Sequence, residues 1–391
     1  MNKVILHKEI QDFINQNLNT EITKLVLKGS PFTDVNIQEL AEQITSKKKC
    51  KKKLPFWFET DNIYYPNKLN IEQTSSETTA KYKANLIQGN SIIDITGGFG
   101  VDCLAFSKTF KNVIHCEINS DLSQIVQHNF KQLKAANITT IIGDGINFIK
   151  KNKQKYDCIY IDPSRRNDFK KRVFLLEDCL PNLPKNLDLL FEYSNTILVK
   201  TAPLFDIKAA INELKFVNEI HVIAINNEVK EVLYLLKKNF NSNINYKTVN
   251  FAKTKDQLFN FNFENDVANY SLPKKYLYEP NAAILKAGAF DEISTSLKLD
   301  KLHKHSHLYT STELIKFPGR TFEILQVLSY HPKKIIQELS TKKANITTRN
   351  FPETVAQIRQ KTKLKDGGNS YLFFTTNLNE EKIVLICEKI K

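Results

Sequence analysis

Apolar residues change their spacing twice along the chain, and each pattern predicts a different kind of structure. Over residues 1 to about 53 they recur every three or four positions, as at Ile10, Phe13 and Ile14, which is typical of amphipathic helices. From Ser91 onward they fall into short runs separated by amphipathic stretches, and after about residue 278 this alternation stops. The pattern therefore predicts a helical start, an α/β centre and a separate C-terminal part.

Six of the short runs have the length and composition of buried strands. Helix-like segments such as 122–134 and 207–214 lie between them. Regular alternation of strand and helix predicts an α/β fold built on a parallel, doubly wound sheet. Two later runs, 232–236 and 246–251, are predicted as further strands, which we interpret as a hairpin. The six runs are 92–95, 113–116, 139–142, 158–161, 197–199 and 220–225.

The C-terminal part has the pattern of a small α+β module. Residues 333–339 and 353–360 show helical spacing. Residues 366–369 (Asp-Gly-Gly-Asn) have turn chemistry and precede the apolar run 371–374. This order predicts a strand pair at the end of the chain.

Composition narrows the class of protein. The chain has 391 residues, enough for two or three domains. It has no apolar run of about 18 residues and no signal-peptide pattern, so we expect no membrane span and a cytoplasmic location. The six cysteines are scattered without a Cys-x-x-Cys pair, which indicates reduced thiols. The histidines in 303–307 are interleaved with lysine, so a solvated loop is favoured over a metal site and no metal is expected.

The net charge of +14 favours a polyanionic partner. Lysine is frequent along the whole chain, so the net charge by itself does not indicate a particular binding face. Only six arginines occur, and Arg165, Arg166 and Arg172 lie within eight residues of one another. Such a cluster is typical of phosphate binding, and ion pairing with the acids at 177–178 is the alternative. Six lysines in 47–53 are interpreted as a helix end or a solvated linker, with a nucleic-acid contact as the less favoured alternative.

The strongest chemical signal is a glycine-rich turn at 94–102 (Asp-Ile-Thr-Gly-Gly-Phe-Gly-Val-Asp), between the first predicted strand and a helix. Glycines there let the backbone approach a ligand at a helix N-terminus. Glu117, Asp144 and Asp162 follow the next three strands. Because the carboxyl ends of parallel strands meet at one edge, we expect these acids to line one cleft. The first of them can accept hydrogen bonds from ribose hydroxyls, and the second from an adenine amine.

Two other interpretations of these residues remain open. A nicotinamide-binding Rossmann fold also permits the 20 residues between Gly97 and Glu117. It is less favoured, because the turn has Gly-Gly-x-Gly instead of Gly-x-Gly-x-x-Gly and because Asp-Pro at 162–163 has no role in hydride transfer. The acids could also be only helix caps and turn formers, which explains each one singly but not the set.

Residues 69–236 resemble a class I S-adenosylmethionine-dependent methyltransferase. The glycine-rich turn matches that family's first motif, and the acids after the following strands match its second, third and fourth. Residues 72–80 (Glu-Gln-Thr-Ser-Ser-Glu-Thr-Thr-Ala) resemble the segment that covers the cofactor in RNA guanine-N2 methyltransferases. The resemblance implies a Rossmann-like, mostly parallel sheet of seven strands and S-adenosylmethionine as the cofactor.

Two C-terminal stretches carry a further resemblance. The section from Tyr278 is similar to the small ferredoxin-like domain of Bacteroidetes-type proteins, and 348–368 is similar to the THUMP-like module of bacterial methyltransferases. The expected parts are a helical region (1–68), a methyltransferase domain (69–277), a ferredoxin-like linker domain (278–320) and a THUMP-like domain (321–391).

The resemblance also assigns roles by motif position. Asp162 and Pro163 would be catalytic, with Asp162 orienting an amine and stabilising the positive charge that grows on it. The substrate-binding residues would be Ser164, Arg165, Arg166 and Lys200. The cofactor-binding residues would be Gln73, Ser76, Asp94, Thr96, Gly97, Gly98, Gly100, Asp102, Glu117, Ile118, Asp144 and Gly145.

The expected substrate is RNA, methylated on an exocyclic base nitrogen by direct in-line transfer. One departure concerns the sequence after Pro163, because enzymes of this kind usually have Asn/Asp-Pro-Pro and an aromatic residue, whereas Ser-Arg-Arg stands here. Base stacking would then come from elsewhere. Two other functions remain open, which are methylation of a protein or small molecule and RNA binding without catalysis. The aromatic candidates for stacking are Trp57, Phe58, Phe169 and Phe205.

Overall fold

The structure is a computed structural model that describes residues 1–165, 175–264, 266–339 and 341–390. The chain divides into two compact units. The first contains residues 1–217 and 234–240, and the second contains 218–233 and 241–391. None of the helices in the described ranges is both long enough and apolar enough to cross a bilayer.

Six helices open the first unit, and the first three lie in residues 1 to about 53, where the apolar spacing predicts helices. They are α1 (Lys8–Gln16), α2 (Ile22–Lys28), α3 (Ile37–Lys53), α4 (Pro55–Glu59), α5 (Lys68–Gln73) and α6 (Glu77–Leu86). A capping box between Asn36 and Glu39 starts α3, which then continues through the lysine run to Lys53. The Lys53 ammonium donates to the carbonyl oxygens of Ile71 at 2.9 Å and Glu72 at 2.8 Å, near the end of α5. The interpretation of the lysine run as a helix end is confirmed.

Strands and helices alternate through the rest of the first unit. The strands are β1 (Ser91–Asp94), β2 (Asn112–Glu117), β3 (Ile138–Ile142), β4 (Cys158–Ile161), β5 (Ser164–Arg165), β6 (Cys179–Leu180) and β7 (Thr196–Thr201). The helices are α7 (Val101–Phe106), α8 (Ser120–Gln132), α9 (Gly145–Asn152), α10 (Leu183–Tyr193) and α11 (Ile207–Glu213).

Parallel pairing joins these strands in the order β3-β2-β1-β4-β7, and β5 forms a separate antiparallel pair with β6. The four residues of β4 are all buried, which suits a central strand covered by helices on both faces. Because the joined strands run in one direction, their carboxyl ends lie at one edge of the sheet. The predicted parallel α/β class is confirmed.

Four further strands follow α11 in the chain. They are β8 (Val217–Ile225), β9 (Glu228–Lys237), β10 (Asn245–Phe251) and β11 (Gln257–Phe261). β10 pairs in parallel with β8 and antiparallel with β11. The predicted hairpin between 232–236 and 246–251 is therefore wrong, because β8 and β11 occupy both edges of β10.

The second unit also contains a mixed sheet in the order β13-β14-β12-β15-β18-β17-β16. Its strands are β12 (Tyr276–Pro280), β13 (Asp300–Lys301), β14 (Tyr309–Ser311), β15 (Gly319–Ser329), β16 (Asn345–Arg349), β17 (Ser370–Thr376) and β18 (Lys382–Lys389). The helices are α12 (Ala282–Ala287), α13 (Glu292–Leu297), α14 (Pro332–Glu338) and α15 (Val355–Thr362). The predicted strand pair at the end of the chain is confirmed by the antiparallel pairing of β17 with β18.

The histidine-rich segment 303–307 is only partly a solvated loop. His305 is exposed, but His303 is 4% exposed, and its Nε2 lies 2.9 Å from a carboxylate oxygen of Glu380. Its Nδ1 lies 2.9 Å from the side-chain nitrogen of Asn350. The expectation of a solvated loop is thus wrong for His303. Its side chain contacts Glu380, which lies between β17 and β18, and Asn350, which follows β16. Across the described ranges, no group of three or more His, Cys, Asp or Glu side chains could hold a metal ion.

Candidate functional site

A buried carboxylate holds the turn after β1. Asp94 ends β1 and is 2% exposed. Its Oδ1 accepts hydrogen bonds from the backbone N–H of Thr96 at 2.9 Å and from the Thr96 hydroxyl at 3.1 Å. Burial raises the pKa of Asp94 to about 7, and the hydrogen bond from the Thr96 N–H opposes that rise. Asp94 thus shapes the turn from inside the protein.

Asp94 makes the stability of the protein depend on pH. Its pKa of about 7 in the folded protein lies above the ordinary value of 3.8. The stability associated with its protonated form is complete below about pH 4 and is lost as the pH rises to about 7, because only the unfolded chain ionises freely in that window. Between pH 5 and 7.5, the parent should lose roughly 2–3 kcal/mol relative to Asp94→Asn. Urea unfolding of both proteins measures this loss, and an equal difference at both pH values contradicts it.

The next glycines bring the backbone close to β2. A Cβ on Gly97 would lie 2.4 Å from Nε2 of the buried His115, so the close approach requires glycine. Gly98 has a φ of +52° and donates its N–H to Glu117 Oε2 at 2.8 Å. Gly100 is the N-cap residue of α7. The turn therefore places a row of backbone groups between β1 and the start of α7.

Alanine at the two adjacent glycines should have different effects. Gly97→Ala forces a methyl group against the His115 ring and should lower the free energy of unfolding by about 2–3 kcal/mol. Gly98→Ala is the matched control, since its Cβ would meet no atom nearer than 3.8 Å, and only the left-handed backbone costs about 1 kcal/mol. Urea unfolding compares the two variants. A Gly98→Ala loss equal to or above that of Gly97→Ala contradicts the close-approach explanation.

Glu117 ends β2 with its carboxylate oriented by two backbone donors. Gly98 N–H donates to Oε2 at 2.8 Å, and Asn119 N–H donates to Oε1 at 2.7 Å. Each oxygen can accept a second hydrogen bond, so the carboxylate can accept from both hydroxyls of a ribose. Ile118 is 72% exposed, and Ile142, the register partner of Glu117 on β3, is 57% exposed. These apolar side chains suit a flat ring such as adenine.

Asp144 follows β3 and caps α9. Its Oδ1 accepts from the backbone N–H of Asn147 at 2.8 Å, and the residue is exposed, so its carboxylate is accessible to an amine. A Cβ on Gly145 would lie 2.4 Å from the Cβ of Ile95, so glycine allows the start of α9 to pack on the turn after β1. Asp144 and Glu117 thus present two carboxylate acceptors of the kind that could hold the amine and hydroxyl groups of a nucleoside.

Asp162 and the buried Pro163 follow β4 at the same edge of the sheet. The backbone N–H of Asp162 donates to the Thr96 hydroxyl oxygen at 2.7 Å, so Thr96 joins the ends of β1 and β4. Lys200 on β7 forms an ion pair with the Asp162 carboxylate. The Lys200 side chain is 9% exposed and that of Asp162 is 34% exposed, so the carboxylate is the accessible member of the pair. The sequence predicts that Lys200 contacts substrate, and in the structure its ammonium group contacts the Asp162 carboxylate.

Other predicted residues lie in a variety of surroundings. Gln73 is the exposed last residue of α5, and Ser76 is the N-cap of α6, accepting from the N–H of Thr79 at 3.2 Å. Ser164 is exposed in β5. The roles of Gln73, Ser76 and Ser164 in binding stay predictions.

The aromatic residues proposed to stack on a base differ in exposure. Trp57 and Phe205 are buried, and Phe58 is half-buried. The side chain of Arg165 and all of Arg166, Phe169 and Arg172 lie outside the described residues.

Sequence reasoning missed a buried charged cluster beside the turn. Lys83 is fully buried, and its ammonium lies 3.2 Å from Asp102 Oδ1. Asp102 Oδ2 accepts from the hydroxyls of Ser75 and Tyr160, each at 2.8 Å. Burial raises the pKa of Asp102, but the charges of Lys83 and Lys200 and the two hydroxyls outweigh it and leave the pKa below its ordinary value. Asp102, predicted to bind cofactor, therefore has its hydrogen bonds within the protein.

One signal in the sequence indicates this cluster. Lys83 stands next to Ala84 and three residues after Ala80, and both alanines are buried in α6. A lysine on the apolar face of a helix predicts a buried anionic partner, because an unpaired buried charge is costly. Identifying that partner requires the fold, since Asp102 is distant in sequence and lies on α7.

Cys103 and Cys158 do not offer a thiolate nucleophile. Cys103 in α7 and Cys158 in β4 are both buried. Burial raises the pKa of Cys158 to about 12 and raises that of Cys103 well above its ordinary value. The neutral thiol is therefore favoured at neutral pH, whereas attack by cysteine needs the thiolate.

The fold is a parallel α/β sheet with acidic residues at the carboxyl ends of its strands, which is the edge where open α/β sheets bind ligands. Residues 66–209 match the family described as conserved hypothetical protein 95, residues 276–318 match a ferredoxin-like domain, and residues 319–389 match a THUMP domain-like family. A solved structure from Porphyromonas gingivalis W83, described as a candidate methyltransferase, is 31% identical, covers 100% of this chain and 99% of that chain, and has a TM-score of 0.88. The chain therefore belongs to the methyltransferase family in which a conserved hypothetical protein 95 domain is followed by a THUMP-like domain.

A curated relative adds a second comparison. The uncharacterized RNA methyltransferase of Mycoplasma mobile is 26% identical over 190 residues. The match covers 42% of this chain and 48% of the relative, so the chain spans about half the length of that protein. The predicted family resemblance is confirmed by these matches together with the full-length structural neighbour.

Proposed function

We propose that the protein transfers a methyl group from S-adenosylmethionine to RNA in the cytoplasm, with an exocyclic base nitrogen as the favoured acceptor. The observation that carries the proposal is the position of Glu117, Asp144 and Asp162 at the carboxyl ends of β2, β3 and β4. Family membership supports methyl transfer. The curated relative's name and the net charge of +14 support RNA as the substrate.

Different groups in the cleft would hold different parts of the cofactor. Glu117 would accept from the ribose hydroxyls, Asp144 would accept from the adenine amine, and Ile118 would contact the adenine ring. The glycine-rich turn would supply backbone groups close to the cofactor. When bound, S-adenosylmethionine supplies a methyl group that its positive sulfonium makes electrophilic.

Asp162 would act on the nucleophile. Its accessible carboxylate would accept a hydrogen bond from an exocyclic amine and so orient the nitrogen. The same negative charge would stabilise the positive charge that develops on the nitrogen during attack. Thr96 holds the backbone of Asp162 and Lys200 holds its carboxylate, so the group is oriented before substrate binds.

A radiolabel assay tests the proposal. The purified protein is incubated with S-adenosylmethionine carrying a tritiated methyl group, with total RNA in one reaction and total protein in another. Label is expected in RNA, and nucleoside mass spectrometry then identifies the methylated base. Label confined to protein, or no label with tight cofactor binding, overturns RNA methylation.

A further inference from the structure

A basic cavity lies at the end of α3 in the first unit. Its volume is about 390 Å³, within the range of about 300–1,000 Å³ typical of ligand clefts. Four lysines line it together with two asparagines, a leucine and a phenylalanine, and this lining includes no acid. The lining residues are Asn15, Leu18, Asn19, Lys48, Lys49, Lys51, Lys52 and Phe58.

Some lysines of the 47–53 run are engaged by the fold. Lys47 is 7% exposed, with its ammonium 5.7 Å from the centroid of the Phe58 ring. Lys49 forms an ion pair with Glu72. Lys53 donates to backbone carbonyls of α5, as described above. These three side chains stabilise the packing of α3 against its neighbours.

The other three have no such role. Lys48, Lys51 and Lys52 are exposed, and within the described part of the chain they form neither an ion pair nor a side-chain hydrogen bond. Lys48 is three residues from Lys51 and four from Lys52, spacings at which like charges on a helix repel. The C-terminal end of the helix dipole stabilises cations at these positions. A bound polyanion would in addition remove the repulsion between the three ammonium groups.

We propose that this cavity binds the backbone of the RNA substrate, so the inference rests on the proposed function and adds a contact surface to it. Three separate ammonium groups over about one helical turn suit successive phosphates. The half-buried Phe58 ring offers a surface on which an unpaired base can stack, and the amides of Asn15 and Asn19 can bond base edges. A single-stranded segment of RNA can contact the ammonium groups, the Phe58 ring and the asparagine amides together, whereas a single phosphate can contact only the ammonium groups.

The test measures binding of a fluorescent single-stranded RNA to the full chain over a range of KCl concentrations. The variant is Lys48→Gln with Lys51→Gln and Lys52→Gln, in which glutamine keeps the helix propensity. Loss of three phosphate contacts should reduce the slope of log Kd against log salt by about 2 and weaken binding on the order of tenfold to a hundredfold at 0.1 M KCl. Binding of S-adenosylhomocysteine should stay at the parent value, which also shows that the variant is folded.

Two control variants separate position from charge. Lys150→Gln with Lys151→Gln and Lys155→Gln removes the same charge from exposed lysines, two in the last turn of α9 and one in the loop after it. This variant should keep most of the parent affinity. Arginine at positions 48, 51 and 52 keeps the charge and should keep the parent salt slope. Equal loss in the α9 variant, or a parent slope in the α3 glutamine variant, overturns the inference.

Two further outcomes show which proposal fails. If the parent methylates RNA while the α3 glutamine variant binds RNA normally, the cavity proposal fails and the proposed function stands. If the parent neither binds nor methylates RNA, both fail. Adenosine monophosphate is the comparison ligand, and affinity for it equal to that for the RNA overturns an RNA backbone site in favour of a mononucleotide site.

Discussion

Replacing Asp162 with alanine is expected to lower the rate of methyl transfer to RNA by about 10²–10³-fold, the usual cost of removing one preorganised electrostatic group. Binding of S-adenosylhomocysteine should stay close to the parent value, because Glu117 and Asp144 are the acceptors assigned to the cofactor. The accessible Asp162 carboxylate is placed by Thr96 and Lys200, so its loss removes an oriented acceptor for the substrate amine. Radiolabel transfer to RNA and calorimetry with S-adenosylhomocysteine measure the two effects.

Two variants calibrate that result. Asp162→Asn keeps a hydrogen-bond acceptor but loses the negative charge, so its rate should fall between those of the parent and Asp162→Ala. Asp121→Ala removes an exposed acid in the first turn of α8 and should transfer methyl groups at the parent rate. Parent-like turnover by Asp162→Ala, or a large loss of cofactor affinity with it, contradicts the assigned role.

Replacing Lys83 with methionine is expected to lower the free energy of unfolding by about 3–5 kcal/mol. Lys83 is fully buried, and removing its ammonium leaves the buried Asp102 carboxylate without that partner. The hydroxyls of Ser75 and Tyr160 still donate to Asp102, but hydrogen bonds alone compensate a buried charge poorly. Urea unfolding at pH 7 measures the loss.

Two comparisons isolate the effect of the buried charge. Lys81→Met changes an exposed lysine on the same helix and should shift the free energy of unfolding by less than about 0.5 kcal/mol. Adding Asp102→Asn to Lys83→Met removes the orphaned charge and should recover most of the lost stability. A loss below about 1 kcal/mol for Lys83→Met, or a double variant less stable than the single one, contradicts the pairing.

The fold could be predicted wherever the sequence pattern is local. Each apolar run from 92–95 to 220–225 falls on a strand, because strands buried on both faces need continuous apolar residues. The helices between them have apolar residues every three or four positions instead, so the two patterns can be told apart. The hairpin prediction for 232–236 and 246–251 failed because the pairing partners of a strand depend on the whole sheet. Nothing in the run 246–251 itself distinguishes pairing with β8 from pairing with β9.

The candidate site shows the same limit. Glu117, Asp144 and Asp162 could be found from sequence because each follows a recognisable strand, and the topology places those strand ends at one edge. The partners of these and other acids could not be found, since Lys200 meets Asp162 and Lys83 meets Asp102 only through packing of separate elements. The sequence thus shows which side chains are charged, whereas the fold determines which groups those side chains contact.

A crystal structure of the protein with S-adenosylhomocysteine tests the central claim most directly. We expect the ribose hydroxyls within hydrogen-bond distance of the Glu117 carboxylate and the adenine amine facing Asp144. A ligand bound elsewhere, or these two carboxylates turned away from it, contradicts the assignment of the strand-end cleft as the cofactor site.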